Sequence, residues 1–169
     1  DDTATGADKD YQETSGTVTF RPGETSKTVK VKINGDAKFE TDQTFQVNLS
    51  ELRNVDSGTT TSAVGTIKND DTKPVISIGD AYSREGKSTL EIPVGLSNAS
   101  DEQVTVDYIV TDGTATTADK DYTPGASVAV VFAPGEISKT ISIPINNDEI
   151  LETNETFFVE LKDPTNGTI

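Results

Sequence analysis

Thr3-Ala4-Thr5-Gly6-Ala7-Asp8-Lys9-Asp10-Tyr11 returns 111 residues later as Thr114-Ala115-Thr116-Thr117-Ala118-Asp119-Lys120-Asp121-Tyr122, with one position of nine changed. Downstream the copy continues at an offset of 112: Phe20 to Phe45 aligns with Phe132 to Phe157, and 14 of 26 positions are identical. The period sets the scale of the folding unit. Solenoid repeats run to about 20–45 residues, whereas an immunoglobulin-like β-sandwich takes about 100, so each repeat is expected to be one sandwich.

The segments between these landmarks alternate with period two, the signature of half-buried strands. Leu90, Ile92, Val94 and Leu96 form one such series and Val104, Val106, Tyr108 and Val110 the next. Val29, Val31 and Ile33 match Ile141, Ile143 and Ile145, while Phe45, Val47 and Leu49 match Phe157, Val159 and Leu161. Pro22-Gly23 and Pro134-Gly135 each follow a Phe and mark a tight turn between strands. The expected class is all-β, an antiparallel sandwich in tandem. Residues 1–71 are expected to be the later part of a first repeat, 72–74 a linker, and 75–169 a second repeat that lacks its last strand. The edges left by absent strands are expected to be covered by another copy of the chain or by chain outside these residues.

Composition narrows the chemistry. The 169 residues contain no Cys, His, Met or Trp, which excludes thiol and imidazole catalysis and any disulfide frame. Fourteen basic against 29 acidic residues give a net charge of −15, which repels phosphate backbones and anionic lipid and favours cations. Nucleic acid is therefore not expected as a partner. No apolar run approaches the roughly 20 residues that span a bilayer, so no direct membrane insertion is expected. No charged-then-apolar leader opens the chain, and any export signal is expected outside these residues.

The acids sit in the same loops of both repeats. In the second they are Glu85 after the first strand, Asp121 before Tyr122, and Asn147-Asp148-Glu149, Glu152 and Glu155 after Ile145. The first has Asp10, Asp36 and Glu40 in matching places, then Asp70-Asp71 after its final strand. In an antiparallel sandwich the loops after alternate strands emerge at one end, so these acids are expected to converge. Clustered carboxylates repel one another and call for a counter-ion. Ca²⁺ accepts six to eight oxygens in a flexible geometry and suits such a set better than Mg²⁺. Solvated acidic loops are the other reading of the same residues.

An enzyme is not expected. Asp148 and Glu152 could pose as a glycosidase pair, but no Trp lines a sugar cleft. Sugar binding through Tyr11, Tyr82, Tyr108 and Tyr122, and an ion-indifferent spacer, are alternative functions.

At Asp112-Gly113-Thr114-Ala115, Asp121-Tyr122, Phe132-Ala133-Pro134-Gly135-Glu136, Asn147-Asp148-Glu149 with Glu152, Glu155 and Phe157, and Gly65-Thr66-Ile67-Lys68-Asn69-Asp70-Asp71, the chain resembles the Calx-β module of sodium/calcium exchangers, integrin β4 and large bacterial surface proteins. The resemblance implies a seven-stranded sandwich with calcium at one tip. Carried over, the second repeat's set is Glu85, Asp121, Asp148 and Glu152, with Asn147 and Glu155 in the same loop. The first repeat's set is Asp10, Asp36, Glu40, Asp70 and Asp71. Gly35-Asp36-Ala37 and Asn147-Asp148-Glu149 stand where the most acidic members have consecutive aspartates, and Gln43 stands where the second repeat has Glu155. Fewer charges imply fewer ions and weaker binding. The resemblance implies a calcium-stiffened, cell-surface or secreted adhesion array, or alternatively a cytoplasmic module of a membrane protein. Its expected partners are calcium ions and adjacent Calx-β repeats.

Overall fold

The computed structural model describes residues 1–55, 60–84, 86–125, 129–147 and 151–169. Among the described residues ten strands follow in order: β1 Tyr11–Gln12, β2 Lys32–Ile33, β3 Gln43–Asn48, β4 Ser62–Ile67, β5 Ile76–Ile78, β6 Thr89–Leu96, β7 Val104–Thr111, β8 Val130–Phe132, β9 Ser138–Pro144 and β10 Phe158–Thr165. The chain divides into two units, one of Asp1–Asp36 with Glu40–Asp70, the other of Asp71–Ile169 with Ala37–Phe39.

The second unit is a two-layer sandwich. Its sheets run β5-β6-β9 and β10-β7-β8, and the strands paired within them are antiparallel. Alternation does the sorting, because successive side chains of a strand point to opposite faces. Leu90, Ile92, Val94 and Leu96 of β6, with Ile141 and Ile143 of β9, are buried from one sheet. Val104, Val106 and Tyr108 of β7, Val130 and Phe132 of β8, and Leu161 of β10 are buried from the other, and together they form one core. Fully burying a side chain of this size stabilises by about 1.5–3 kcal/mol. Also in this unit, the Phe39 N–H donates to Ala99 O at 2.9 Å and Phe39 O accepts from Asp101 N–H at 2.8 Å.

Between β8 and β9 the chain reverses at Pro134-Gly135, where φ of 81° requires glycine. The Glu136 carboxylate locks the turn, accepting the Ala133 N–H at 2.7 Å and pairing with Lys139 at 2.7 Å. The first unit repeats the device at Gly23, with φ of 85°. There Glu24 accepts the Arg21 N–H at 2.8 Å and pairs with Lys27 at 2.7 Å.

The first unit contains two ribbons, β1-β2 and β3-β4. Its buried cluster is Ala4, Tyr11 and Phe45, with Val31, Val47 and Ile67 packed against it. Phe45 lies opposite Gly65 across the β3-β4 ladder, and its ring occupies the space where a Cβ at Gly65 would stand.

Alternation over Val29, Val31 and Ile33 predicts a strand like β9, but only Lys32–Ile33 pairs. Val29 is 46% exposed where its counterpart Ile141 is 3% exposed, and Phe20 is 52% exposed where Phe132 is 0%. The reason is partnership. In the second unit β9 pairs along β6 from Thr89↔Pro144 to Gly95↔Ser138, and among the described residues of the first unit no strand takes the place of β6. A period-two pattern specifies a face but does not supply the strand that covers it.

Candidate metal centre

The loop from Asp112 to Tyr122 begins where β7 ends and is closed by its own polar groups. The Tyr122 hydroxyl donates to Asp112 Oδ1 at 2.6 Å, and the Thr117 N–H donates to the same oxygen at 3.0 Å. Inside this ring, the Thr116 N–H donates to Asp121 Oδ2 at 2.7 Å. Lys120 holds a left-handed φ of 70°, and Lys9 repeats it at 69°, a conformation uncommon outside glycine, which sets the direction of the following aspartate. Burial, and after it the bond to Asp112, push the Tyr122 phenol up to about 12. The same bond comes first in holding the Asp112 carboxyl below the usual aspartate range, followed by the Thr117 N–H.

Two further contacts bring the acidic segment to this loop. Asn146 donates its N–H to Asp121 O at 2.9 Å and its side-chain amide to Lys120 O. Ala115 N–H donates to Thr156 O at 2.9 Å, and Thr156 N–H returns a bond to Thr114 Oγ1 at 2.8 Å. Tyr122 then stacks on Phe157 with ring centroids 4.5 Å apart and planes 23° apart. The chain between Asn146 and Phe157 is thus pinned at both ends beside Asp121.

The consequence is a cluster. One ligand oxygen from each of Asp121, Glu152 and Glu155 lies within 4.8 Å of the others, with Asp121 half-buried and both glutamates exposed. Two oxygens each about 2.4 Å from a shared Ca²⁺ are at most about 5 Å apart, so the pairwise spacing of the three carboxylates is compatible with one ion. The donor set is oxygen only, the chemistry of a hard cation rather than of zinc or copper.

The other sequence candidates fall as follows. Glu85 and Asp148, together with the neighbouring Glu149, lie outside the described residues. Asn147 is exposed, immediately before them. In the first unit Asp10 is buried and its Oδ2 accepts the Thr5 N–H at 2.7 Å. Glu40 is half-buried and its N–H donates to Asn69 Oδ1 at 3.2 Å. Asp36 and Asp70 are exposed, and Asp71, half-buried, belongs to the second unit. The first unit repeats the loop clasp: Tyr11 O–H donates to Asp1 Oδ1 at 2.6 Å, Asn34 N–H to Asp10 O at 3.0 Å, and Tyr11 stacks on Phe45 at 4.8 Å.

Sequence reasoning missed Asp112 as a member of this machinery. The signal was present, because Asp1 stands at the same offset of 111 as Asp10 and Tyr11 do from their counterparts.

A family model for the Calx-beta domain matches residues 1–71 and again 69–169. The chain belongs to the Calx-beta domain family. Among similar proteins, sodium/calcium exchanger 1 of Rattus norvegicus is 32% identical over a 184-residue alignment that covers 97% of this chain and 19% of the exchanger. Sodium/calcium exchanger 2 of the same species is 31% identical over 176 residues, covering 94% of this chain and 19% of its own length. The Calx-beta chain therefore spans about a fifth of the exchangers it matches. A crystal structure of CBD12 from CALX1.2 aligns with 96% of this chain and 63% of its own, at 27% identity and a TM-score of 0.49. Ca²⁺ is the ligand expected of Calx-beta domains, and the all-carboxylate cluster at Asp121 accords with it.

Proposed function

We propose that this tandem Calx-beta segment is a calcium-responsive module of a larger protein, in which Asp121, Glu152 and Glu155 hold Ca²⁺ at the tip of the second sandwich. Convergence of these three carboxylates on a pinned loop is the observation that carries the reading. Glu85, Asp148 and Asn147 complete the ligand set through the loops that sequence assigns to the same end. Calcium neutralises the cluster and ties the Asp112–Tyr122 loop to the Asn146–Phe157 segment, so ion binding becomes stiffness. In the first unit Asp10, Asp36, Glu40, Asp70 and Asp71 are the corresponding acids.

The exchanger relatives support the cytoplasmic module of a membrane transporter over the cell-surface adhesion array, the other placement the family resemblance allows. A regulatory role follows from the chemistry: a site whose loops stiffen with calcium reports the ion's concentration to whatever the module is joined to.

An ion that binds only the folded state adds RT ln(1 + [L]/Kd), about 2.7 kcal/mol at a hundredfold excess over Kd. The test is a thermal melt of the chain in calcium and in chelator, with calorimetric titration alongside. A rise in Tm with calcium and a smaller rise with magnesium are expected. An unchanged melt with no heat of binding at millimolar calcium overturns the reading.

A further inference from the structure

Asn34 holds the Asp10 loop of the first unit. Its backbone N–H donates to Asp10 O at 3.0 Å and its side-chain Nδ2 to Lys9 O at 2.7 Å, beside the β1-β2 pairs Tyr11↔Ile33 and Gln12↔Lys32. Asn146, its counterpart at the offset of 112, makes the same two bonds to Asp121 O and Lys120 O. The clasps match, but the residues that follow them do not: Gly35 follows Asn34, whereas Asn147 follows Asn146.

A glycine after an asparagine matters chemically. Without a Cβ it reaches backbone conformations closed to other residues, so its amide nitrogen can swing onto the side chain before it. The chain has one other such pair, Asn166-Gly167, and the structure separates the two. Gly35 is exposed, and nothing lies within 4 Å of where a Cβ would stand. Gly167 is hemmed in, with Ile76 and Pro74 O 3.2 Å from the same point. The next residue fixes it further: Thr168 N–H donates to Pro74 O at 3.0 Å, and Thr168 O accepts from Ile76 N–H at 2.6 Å.

We propose that Asn34 is a self-modification site, at which the side-chain amide is lost through a succinimide formed with Gly35. The Gly35 nitrogen bonds to Asn34 Cγ, its proton passes to the amide nitrogen, the Cγ–Nδ2 bond breaks and ammonia departs. Water then opens the ring at one of its two carbonyls, leaving aspartate or, with the main chain rerouted through Cγ, isoaspartate. Ring closure requires Nδ2 to leave Lys9 O, so the rate reads local opening of the clasp. The product cannot close it again, because an ionised carboxylate only accepts and Lys9 O is itself an acceptor. Isoaspartate also adds a methylene to the main chain next to Ile33. The first unit thus carries a chemical timer on its Asp10 loop that the second unit's clasp lacks.

The test incubates the full 169-residue chain at mildly alkaline pH in chelator and follows each asparagine by peptide mapping and mass spectrometry. Asn34 is expected to convert ahead of both Asn166 and Asn146, to a mixture of aspartate and isoaspartate. In urea the two Asn-Gly pairs are expected to convert alike, because the packing around Gly167 is gone. Gly35→Ala, at an open position, is expected to abolish measurable conversion of Asn34. Asn34→Asp, which keeps a normal main chain, is expected to lower the Tm. Asn34 persisting as long as Asn146, or Gly35→Ala converting at the parent's rate, overturns the site. Equal rates at Asn34 and Asn166 in the folded chain, or a difference that persists in urea, overturn the role given to packing. An Asn34→Asp variant as stable as the parent overturns the timer. Should that variant fail to fold, the Tm of partly converted parent protein decides the same point.

Discussion

Tyr122 and Asp112 are joined hydroxyl to carboxylate at 2.6 Å across ten residues of chain, and the ring of the same tyrosine stacks on Phe157. Tyr122 is therefore the hinge pin of the candidate site: its hydroxyl closes the loop that presents Asp121, and its ring seats the segment that presents Glu152 and Glu155. The Tyr122→Phe change keeps the stack and removes only the closure. Calcium affinity is expected to fall while the calcium-free far-ultraviolet spectrum is unchanged, as read by calorimetric titration and circular dichroism. Parent-like affinity would make the Asp112 bond a matter of loop shape alone.

The cluster itself has a signature that a neutral loop lacks. Three carboxylates with oxygens within 4.8 Å repel one another in the absence of an ion. The Glu152→Gln change relieves that repulsion and removes a ligand together. It is expected to raise the calcium-free Tm slightly and to shrink the rise that calcium produces, both measured in one pair of melts. A calcium-induced rise as large as the parent's would place Glu152 outside the ligand set.

Burial assigns different costs to equivalent positions. Ile141 is 3% exposed in the closed core, whereas Val29, its counterpart, is 46% exposed. Ile141→Ala is expected to cost about 2–5 kcal/mol, the range for truncating a buried aliphatic. Val29→Ala should fall within about 0.5 kcal/mol, as for surface changes. Urea denaturation of the two variants measures the contrast, and equal costs would mean that Val29 is covered in solution.

These positions also mark how far the sequence could be read. The alternation of Leu90 to Leu96 and of Val104 to Val110 names β6, β7 and their buried faces directly, because the side-chain period of a strand is a local property. The repeat offsets likewise align Asp10 with Asp121 and Glu40 with Glu152. Val29 shows where local reading stops, since its pattern predicts a strand while pairing depends on another segment. Gln43 shows a second limit. Its identity marks a missing carboxylate, but its burial and its bond to Glu40 are visible only once the strand is placed. Strand parity predicts that the Asp121 and Glu155 loops meet at one end, whereas the Asn146 and Thr156 bonds that pin them there appear only in the structure.

Glycine at position 65 is a packing requirement and not a turn signal. It pairs with Phe45 in the middle of the β3-β4 ladder, and a methyl there would enter the space of the Phe45 ring. Gly65→Ala is expected to displace that ring from Tyr11 and to destabilise the first unit by about 1–3 kcal/mol, the usual cost of overpacking. Urea denaturation reads the loss, and amide signals from the Tyr11–Phe45 region should shift. A neutral outcome would mean that the ring has another place to go.

The Pro-Gly turn clasps give the chain an acid-sensitive element separate from the metal cluster. Glu136 is held below the ordinary glutamate value of 4.5, first by the Lys139 ammonium and then by the Ala133 N–H. Glu24 is held below it first by the Arg21 N–H and then by Lys27. A carboxyl whose folded pKa is depressed releases its proton more readily in the folded state, so its contribution is fully present above the unfolded value. That contribution is lost as pH falls through the lower, folded value. Glu136→Gln removes the titrating group and most of the clasp, so the variant is expected to be less stable than the parent at neutral pH. Below about 4.5 the gap between them should narrow, and it should close once Glu136 is protonated in the folded parent. Urea unfolding of both proteins across the acid range, in chelator to silence any metal contribution, measures the gap directly. A gap that stays constant with pH would show that Glu136 acts through packing against the turn and not through its charge.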